Sequence, residues 1–340
     1  MAAVTSILRA GRQVCKNPSF GRPFTFGVKP SPCQRCTLVR QQFRFRSNKT
    51  DAEELIITEG RSRFIMRPLV FTAGATAGSF AGCAIWQYER VRASYAKWKP
   101  RWSSFQFPRA FGFRDKLNRW WMTLPDGHKT AAGIIFVNTV VFLLWKIPAP
   151  RMQASMWRWF ISHPIIASPV TILTSCFSHM DFWHLAINMY VLWSFAPTIQ
   201  ALLGREQFIA FYLSGGMFAS LASQVFRVLA KQPIRPSLGA SGALFAVLSL
   251  ICIHLPETEL SLIFLPWFSF SAGKALMGVV ALDVAGLVFR WSLFDHAAHL
   301  GGVIFGAWYL KYGHYYLWDH RGWLVKKWHQ LRGSKQKPPP

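Results

Sequence analysis

Acidic residues are scarce in this chain: 14 Asp and Glu stand against 39 Lys and Arg, for a formal charge of +25, and none precedes Asp51. Charge of either sign is thin as well, at 16% of residues, where a soluble domain carries about 25%. That shortage argues against a cytosolic globular enzyme. Also missing is a disulfide framework: the cysteines at 15, 33, 36, 83, 176 and 252 follow no paired pattern. Cys33-x-x-Cys36 lacks the second pair that a zinc or redox motif needs. There is no His-Glu-x-x-His and no carboxylate at zinc-ligand spacing, so neither a metal nor a cofactor is expected. No repeat period suggests the inverted halves of a transporter.

Apolar residues are abundant. They make up 51% of the chain, with 29 Phe and 16 Trp, and this excludes a disordered protein. A charge of +25 points to nucleic acid or an anionic membrane surface, and its placement decides between them. Arg9, Arg12, Lys16, Arg22, Lys29, Arg35, Arg40, Arg44, Arg46 and Lys49 alternate with Ser, Thr, Phe and Gln ahead of the first acid. Acid-poor, Arg-rich sequence of this kind reads as an organelle transit peptide, here mitochondrial, and the apolar core of a secretory signal is missing. Residues 1–50 are expected to be removed, with processing near Arg44-Phe45-Arg46-Ser47.

About 20 apolar residues span a bilayer. Pro68 to Tyr88, Phe182 to Gly204, Phe208 to Phe226, Pro236 to Pro256 and Ala297 to Leu310 contain no charged residue. Thr130 to Trp145 is strongly apolar, and Ala275 to Phe289 contains one acid, Asp283. These are seven candidate spans. Between them lie a basic linker at 89–129, a Trp-rich interfacial loop at 146–168, and the apolar stretch Leu260 to Gly273, which Pro266 interrupts and which is expected to be extended. Trp318, Trp323 and Trp328 sit among the charges of a basic tail, as aromatic anchors do at a headgroup boundary. The remaining positive charge therefore flanks spans. The expected partner is lipid rather than nucleic acid.

Polar residues within spans are costly and so are functional candidates. Ser241, in Gly239-Ala240-Ser241-Gly242, stands at the start of an apolar helix. There, free backbone N–H groups and the helix dipole favour an oxyanion. The same small residues, continued by Ala246 and Ser249, also form a helix-packing stripe, and the motif alone leaves both readings open. In the last span His299 is followed by Gly302 and Gly306 on its own face, which lets that helix approach another closely. Histidine is the natural base for a serine nucleophile, although a histidine satisfied by a carbonyl is equally compatible with the sequence. His184 and Asn188, four residues apart, share a helix face and could serve one polar target such as a developing oxyanion. His179 is expected to stabilise the loop ahead of them, and Asp295 and His296 to be interfacial.

In this order and on these spans, the three clusters resemble those of the rhomboid intramembrane serine proteases, over roughly residues 130–312. With the transit peptide, the extra span and Asp295-His-Ala-Ala-His-Leu-Gly-Gly302, the chain looks most like the mitochondrial, presenilin-associated rhomboid-like branch. The resemblance implies an all-α polytopic membrane protein with a six-helix core and one additional N-terminal transmembrane helix (1+6). It divides the chain into the transit peptide at 1–50, an extension at 51–129 with the extra span at about 68–88, the core at 130–312 and the tail at 313–340.

By that resemblance Ser241 is the nucleophile and His299 its base, in a dyad without a required acid. Phe245 packs on the histidine, and His184 and Asn188 join the Ser241 N–H in the oxyanion hole. Gly239, Gly242, Gly302 and Gly306 support the packing. The implied partners are membrane lipids and substrates anchored by a transmembrane helix, and assembly into a homo-oligomer is left open. The implied location is the mitochondrial inner membrane, with a preference for a matrix-facing site. The resemblance assigns no role to Asp283, which could bond to a neighbouring helix or line a hydrated cavity. An inactive rhomboid-like binder of membrane helices is the competing reading, and it predicts a damaged dyad. A channel or carrier would need polar groups along the whole bilayer rather than at one end of the helices.

Overall fold

A hydrocarbon layer offers no water to backbone N–H and C=O groups, so an uncharged run that enters it pairs them within itself as a helix. In the computed structural model every uncharged run named above carries a helix. The structure describes residues 61–97, 112–163, 167–230, 236–262, 265–291 and 294–333. The expected transit peptide, with Cys33-x-x-Cys36, lies outside the described residues.

In chain order the longer helices are α1 (Arg61–Lys97), α2 (Phe113–Thr123), α3 (Asp126–Lys146), α4 (Pro150–Trp159), α5 (Phe182–Leu203), α6 (Arg205–Leu229), α7 (Ser241–His254), α8 (Ala272–Val288), α9 (His296–Trp308) and α10 (Gly322–Leu331). By length and composition α1, α3, α5 and α6 are able to cross a membrane. The other three expected spans give helices of 14, 17 and 13 residues. At 1.5 Å per residue α7 is about 21 Å long, short of the ~30 Å hydrocarbon layer. Its apolar run begins at Pro236, but residues 236–240 are not helical.

Three connections differ from simple loops. The helix α1 outruns its expected span, at 37 residues and about 55 Å. Leu260 to Gly273, expected to be extended, contains the strands β1 (Glu259–Leu262) and β2 (Leu265–Ser271), an antiparallel pair that sets Leu260 opposite Phe270. The interfacial stretch at 146–168 contains α4, which buries Met156 and exposes Trp159.

The central element is α6, where Phe208, Phe211, Tyr212 and Met217 are at most 1% exposed. It packs against α1, α7 and α9, while α3 pairs with α5. The chain reverses from α5 into α6 at Gly204, whose φ of +79° is strained for any residue bearing a Cβ. Arg90 of α1 bonds through Nε to Glu206 at 2.5 Å, and Glu206 is buried at the start of α6. The indole of Trp328 in α10 donates to Glu89 at 2.8 Å. The end of α1 and the tail therefore share one end of the bundle. The other end of α6 carries Arg227, which pairs with Asp295 at 2.9 Å. Ser241 lies towards that end.

Candidate active site

The segment leading into Ser241 is fixed before its helix begins. Ser237 exchanges two backbone hydrogen bonds with Ser162, each 2.9 Å. The Gly239 N–H donates to the Ser175 carbonyl at 2.9 Å, and the Ala240 N–H donates to His179 Nε2 at 3.4 Å. Gly239 has φ +127°, and a Cβ there would lie 2.8 Å from Cε1 of His184. Only glycine meets both the backbone conformation and the ring contact. The His184 imidazole consequently rests on the backbone two residues ahead of Ser241.

Ser241 Oγ stands 3.1 Å from His299 Nε2. The two helices come this close because α7 and α9 meet through residues without bulk. A Cβ on Gly302 would fall far inside contact with the Gly242 carbonyl oxygen, and one on Gly306 would do the same at the Ala246 carbonyl. Gly242 in turn abuts the Ala219 methyl of α6. Ser249 Oγ donates to the Val303 carbonyl at 2.9 Å, a polar tie further along the pair. The Phe245 ring stacks on His299 with centroids 4.0 Å apart and planes at 13°.

Asp181 caps α5, its side chain accepting the His184 N–H at 2.9 Å. This cap starts the helix that presents His184 and Asn188 on one face. Asn188 is 6% exposed, and its Nδ2 donates to the His184 carbonyl at 2.7 Å. One amide N–H is thereby committed to its own helix, and the second remains as a donor.

His179, expected to steady the loop, does so by accepting from Ala240. It lies ahead of the span and is fully buried; burial, with His184 as a lesser cause, pushes its pKa down to about 3 from 6.5. The neutral ring keeps the lone pair this bond needs. Between those two values the unfolded chain binds the proton first, so stability is complete above about pH 6.5 and drains away as pH falls towards about 3. His179→Gln retains an acceptor without titrating, and its melting temperature in detergent should fall less steeply than that of the wild type between pH 7 and 5 (both about those values). Cys176, in the turn that also holds Gly239, is buried, and burial pushes its thiol up to about 12. It is no rival nucleophile.

Of the two residues expected at the interface, Asp295 is partly exposed and His296 is buried. His296 is 3% exposed, and its ring occupies the space where Gly286 of α8 lacks a Cβ. Its Nδ1 lies 2.6 Å from Asp283 Oδ1. Asp295 caps α9 and accepts from Ser237 Oγ at 2.6 Å, Ser223 Oγ at 2.7 Å and the Ala298 N–H at 3.3 Å. Burial opposes its charge, but the Arg227 cation and these donors outweigh it and hold the carboxyl below its ordinary range. Asp295 thus ties together α6, the approach to Ser241 and the first turn of α9.

Asp283, to which the motifs gave no role, bonds between helices: its Oδ1 is also 3.1 Å from His299 Nδ1. Asp283, His296 and His299 offer ligand-type atoms within 4.8 Å of one another. Their 2.6 and 3.1 Å separations are those of hydrogen bonds, whereas atoms spread tetrahedrally around a zinc ion at ~2.1 Å stand roughly 3.4 Å apart. The sequence signal for Asp283 was an acid in an otherwise uncharged run. The signal for His296 was lost beside Asp295.

Residues 167–316 match the family profile described as the rhomboid domain. The chain is 45% identical over 283 residues to the presenilin-associated rhomboid-like protein, mitochondrial, of Bos taurus, covering 81% of this chain and 74% of that one. For the Homo sapiens protein of the same name the identity is 46%, over 81% and 73% of the two chains. Rhomboid protein 1, mitochondrial, of Saccharomyces cerevisiae is 37% identical over 53% of this chain and 52% of its own. Together with the membrane-length apolar helices, these relatives place the chain among multi-pass mitochondrial membrane proteins. The matched segment carries both Ser241 and His299, and the similarity runs over more than two thirds of the bovine and human chains, so this chain belongs to the rhomboid family.

Proposed function

We propose that the chain is an intramembrane serine endopeptidase that cuts membrane-anchored proteins within or near a transmembrane helix. The observation that carries this reading is the 3.1 Å approach of Ser241 Oγ to His299 Nε2, under the stacked ring of Phe245. In the reaction Ser241 Oγ attacks the scissile carbonyl and its proton passes to His299 Nε2. The oxyanion is met by the Ser241 backbone N–H, His184 and Asn188, where each donor is worth about 3 kcal/mol in the transition state. His299 then protonates the departing amine, and a water activated by the same nitrogen releases the acyl group. A helical peptide bond is sterically shielded, so the substrate helix must unwind locally. Gly, Pro or small residues near the cut lower that cost.

The site serves a 1+6 arrangement with its core at 130–312, in the inner membrane among anionic lipids. With 1–50 imported into the matrix and removed, the extra span leaves the tail in the intermembrane space and turns the Ser241 end towards the matrix. A C-terminal tag should then be digested by protease added to mitoplasts; a protected tag reverses the orientation. The activity is tested by cleavage of a reconstituted single-span substrate by wild type, Ser241→Ala and His299→Ala, with fluorophosphonate labelling of Ser241. Undiminished cleavage by either variant overturns the mechanism. A wild type that neither cleaves nor takes the label is a binder of membrane helices.

A further inference from the structure

We infer that Asp283 is the positioning residue of His299, setting which ring nitrogen faces Ser241, and that His296 holds Asp283 in place for that task. The inference rests on the protease reading above and deepens it. A carboxylate inside an apolar span is expensive unless it is paired, and Asp283 is 3% exposed on α8. Apart from Asp283, the buried residues of that helix are only Ala272 and Gly286. Both partners of Oδ1 are histidines of α9, His296 at 2.6 Å and His299 at 3.1 Å.

The two nitrogens of His299 are occupied in line, with Asp283 at Nδ1 and Ser241 at Nε2, each at 3.1 Å. A general base must present a lone pair to the serine, so its proton must sit on Nδ1. A carboxylate accepts only, and it therefore selects the Nδ1–H tautomer. Stacking on Phe245 fixes the plane of the ring, but a stacked ring is free to exchange its edges, and the carboxylate removes that freedom. His296 supplies the counterpart. Its imidazole, seated over Gly286, bonds to the same oxygen and leaves Asp283 one orientation. When Ser241 attacks, its proton moves to Nε2 while the Nδ1 proton stays on the ring. Asp283 keeps its charge beside the imidazolium and takes up no proton.

The test uses the full chain in proteoliposomes with a single-span substrate, comparing wild type, Asp283→Asn, Asp283→Ala and His296→Leu, with Ser241→Ala as the background. Asparagine keeps the shape of aspartate, so a packing role predicts near-normal activity for D283N. A positioning role predicts that kcat falls about 10²-fold or more, with KM within about threefold and a wild-type melting temperature. Fluorophosphonate labelling should slow in parallel, and His296→Leu should lose about tenfold. D283N with kcat within about twofold of wild type overturns the inference while leaving the protease reading intact. Cleavage by Ser241→Ala at the wild-type rate overturns both. Independently of whether the Asp283 and His296 variants fold, wild-type protein in detergent should show a low-field imidazole proton resonance that is lost in His299→Ala. Its absence removes the Nδ1–H bond to Asp283 and the inference with it.

Discussion

Ser241→Ala or His299→Ala should each reduce kcat/KM for a reconstituted single-span substrate by about 10⁴-fold or more, and the double variant should fall little further. Without Oγ there is no acyl-enzyme. Without the imidazole, the serine at 3.1 Å has no acceptor for its proton, and an unactivated hydroxyl is a weak nucleophile. Because each residue works only through the other, their effects do not add. The substrate helix is bound by other surfaces, so its capture by Ser241→Ala should persist. A double variant whose loss equals the product of the two single losses would show that the residues act independently, contrary to the dyad.

The second large effect is structural. Gly302→Val should destabilise the protein by about 3 kcal/mol or more, read as a lowered melting temperature in detergent, and should abolish fluorophosphonate labelling. The new Cβ collides with the Gly242 carbonyl, which belongs to the backbone and cannot rotate away. The helices α7 and α9 would have to separate, carrying His299 away from Ser241. Gly306→Val meets the Ala246 carbonyl in the same way. Gly78→Ala in α1 is the matched control: no atom lies within 4 Å of its added Cβ, and alanine favours a helix by up to about 1 kcal/mol over glycine. A Gly302→Val protein that melts and labels like wild type would mean that the close contact between the two helices is dispensable.

The small-residue stripe around Ser241 admitted two readings in the sequence, a packing face or the setting of a nucleophile. The structure shows the packing face: Gly242 and Ala246 lie against Gly302 and Gly306, and that contact brings Oγ to Nε2, the approach on which the proposed nucleophile rests. The spacing of three and four in each motif already put the small residues on one face, because a helix has 3.6 residues per turn. Asp295 and His296 were harder to read. They are adjacent, as interfacial polar residues often are. Yet Asp295 turns back to Ser223, Ser237 and Arg227, while His296 turns to Asp283 on another helix. Neighbours at a helix start diverge by about 100°, and sequence alone does not say what lies in either direction.

The sequence alone was enough to say that the chain enters a membrane and which apolar runs carry helices. Scarce charge and long apolar runs leave the backbone no partner but itself, a local requirement legible residue by residue. It also set the spacing of His184 and Asn188 and of the glycine stripes, since these follow from helix geometry. The tertiary structure supplied what holds Pro236 to Ala240 out of the helix that Ser241 starts: Ser162, Ser175 and His179 from earlier in the chain. Only it decided that Asp283 meets His299. That contact depends on the rotation and crossing of α8 against α9, and these are set by which side chains fill the space between the helices, such as His296 over Gly286.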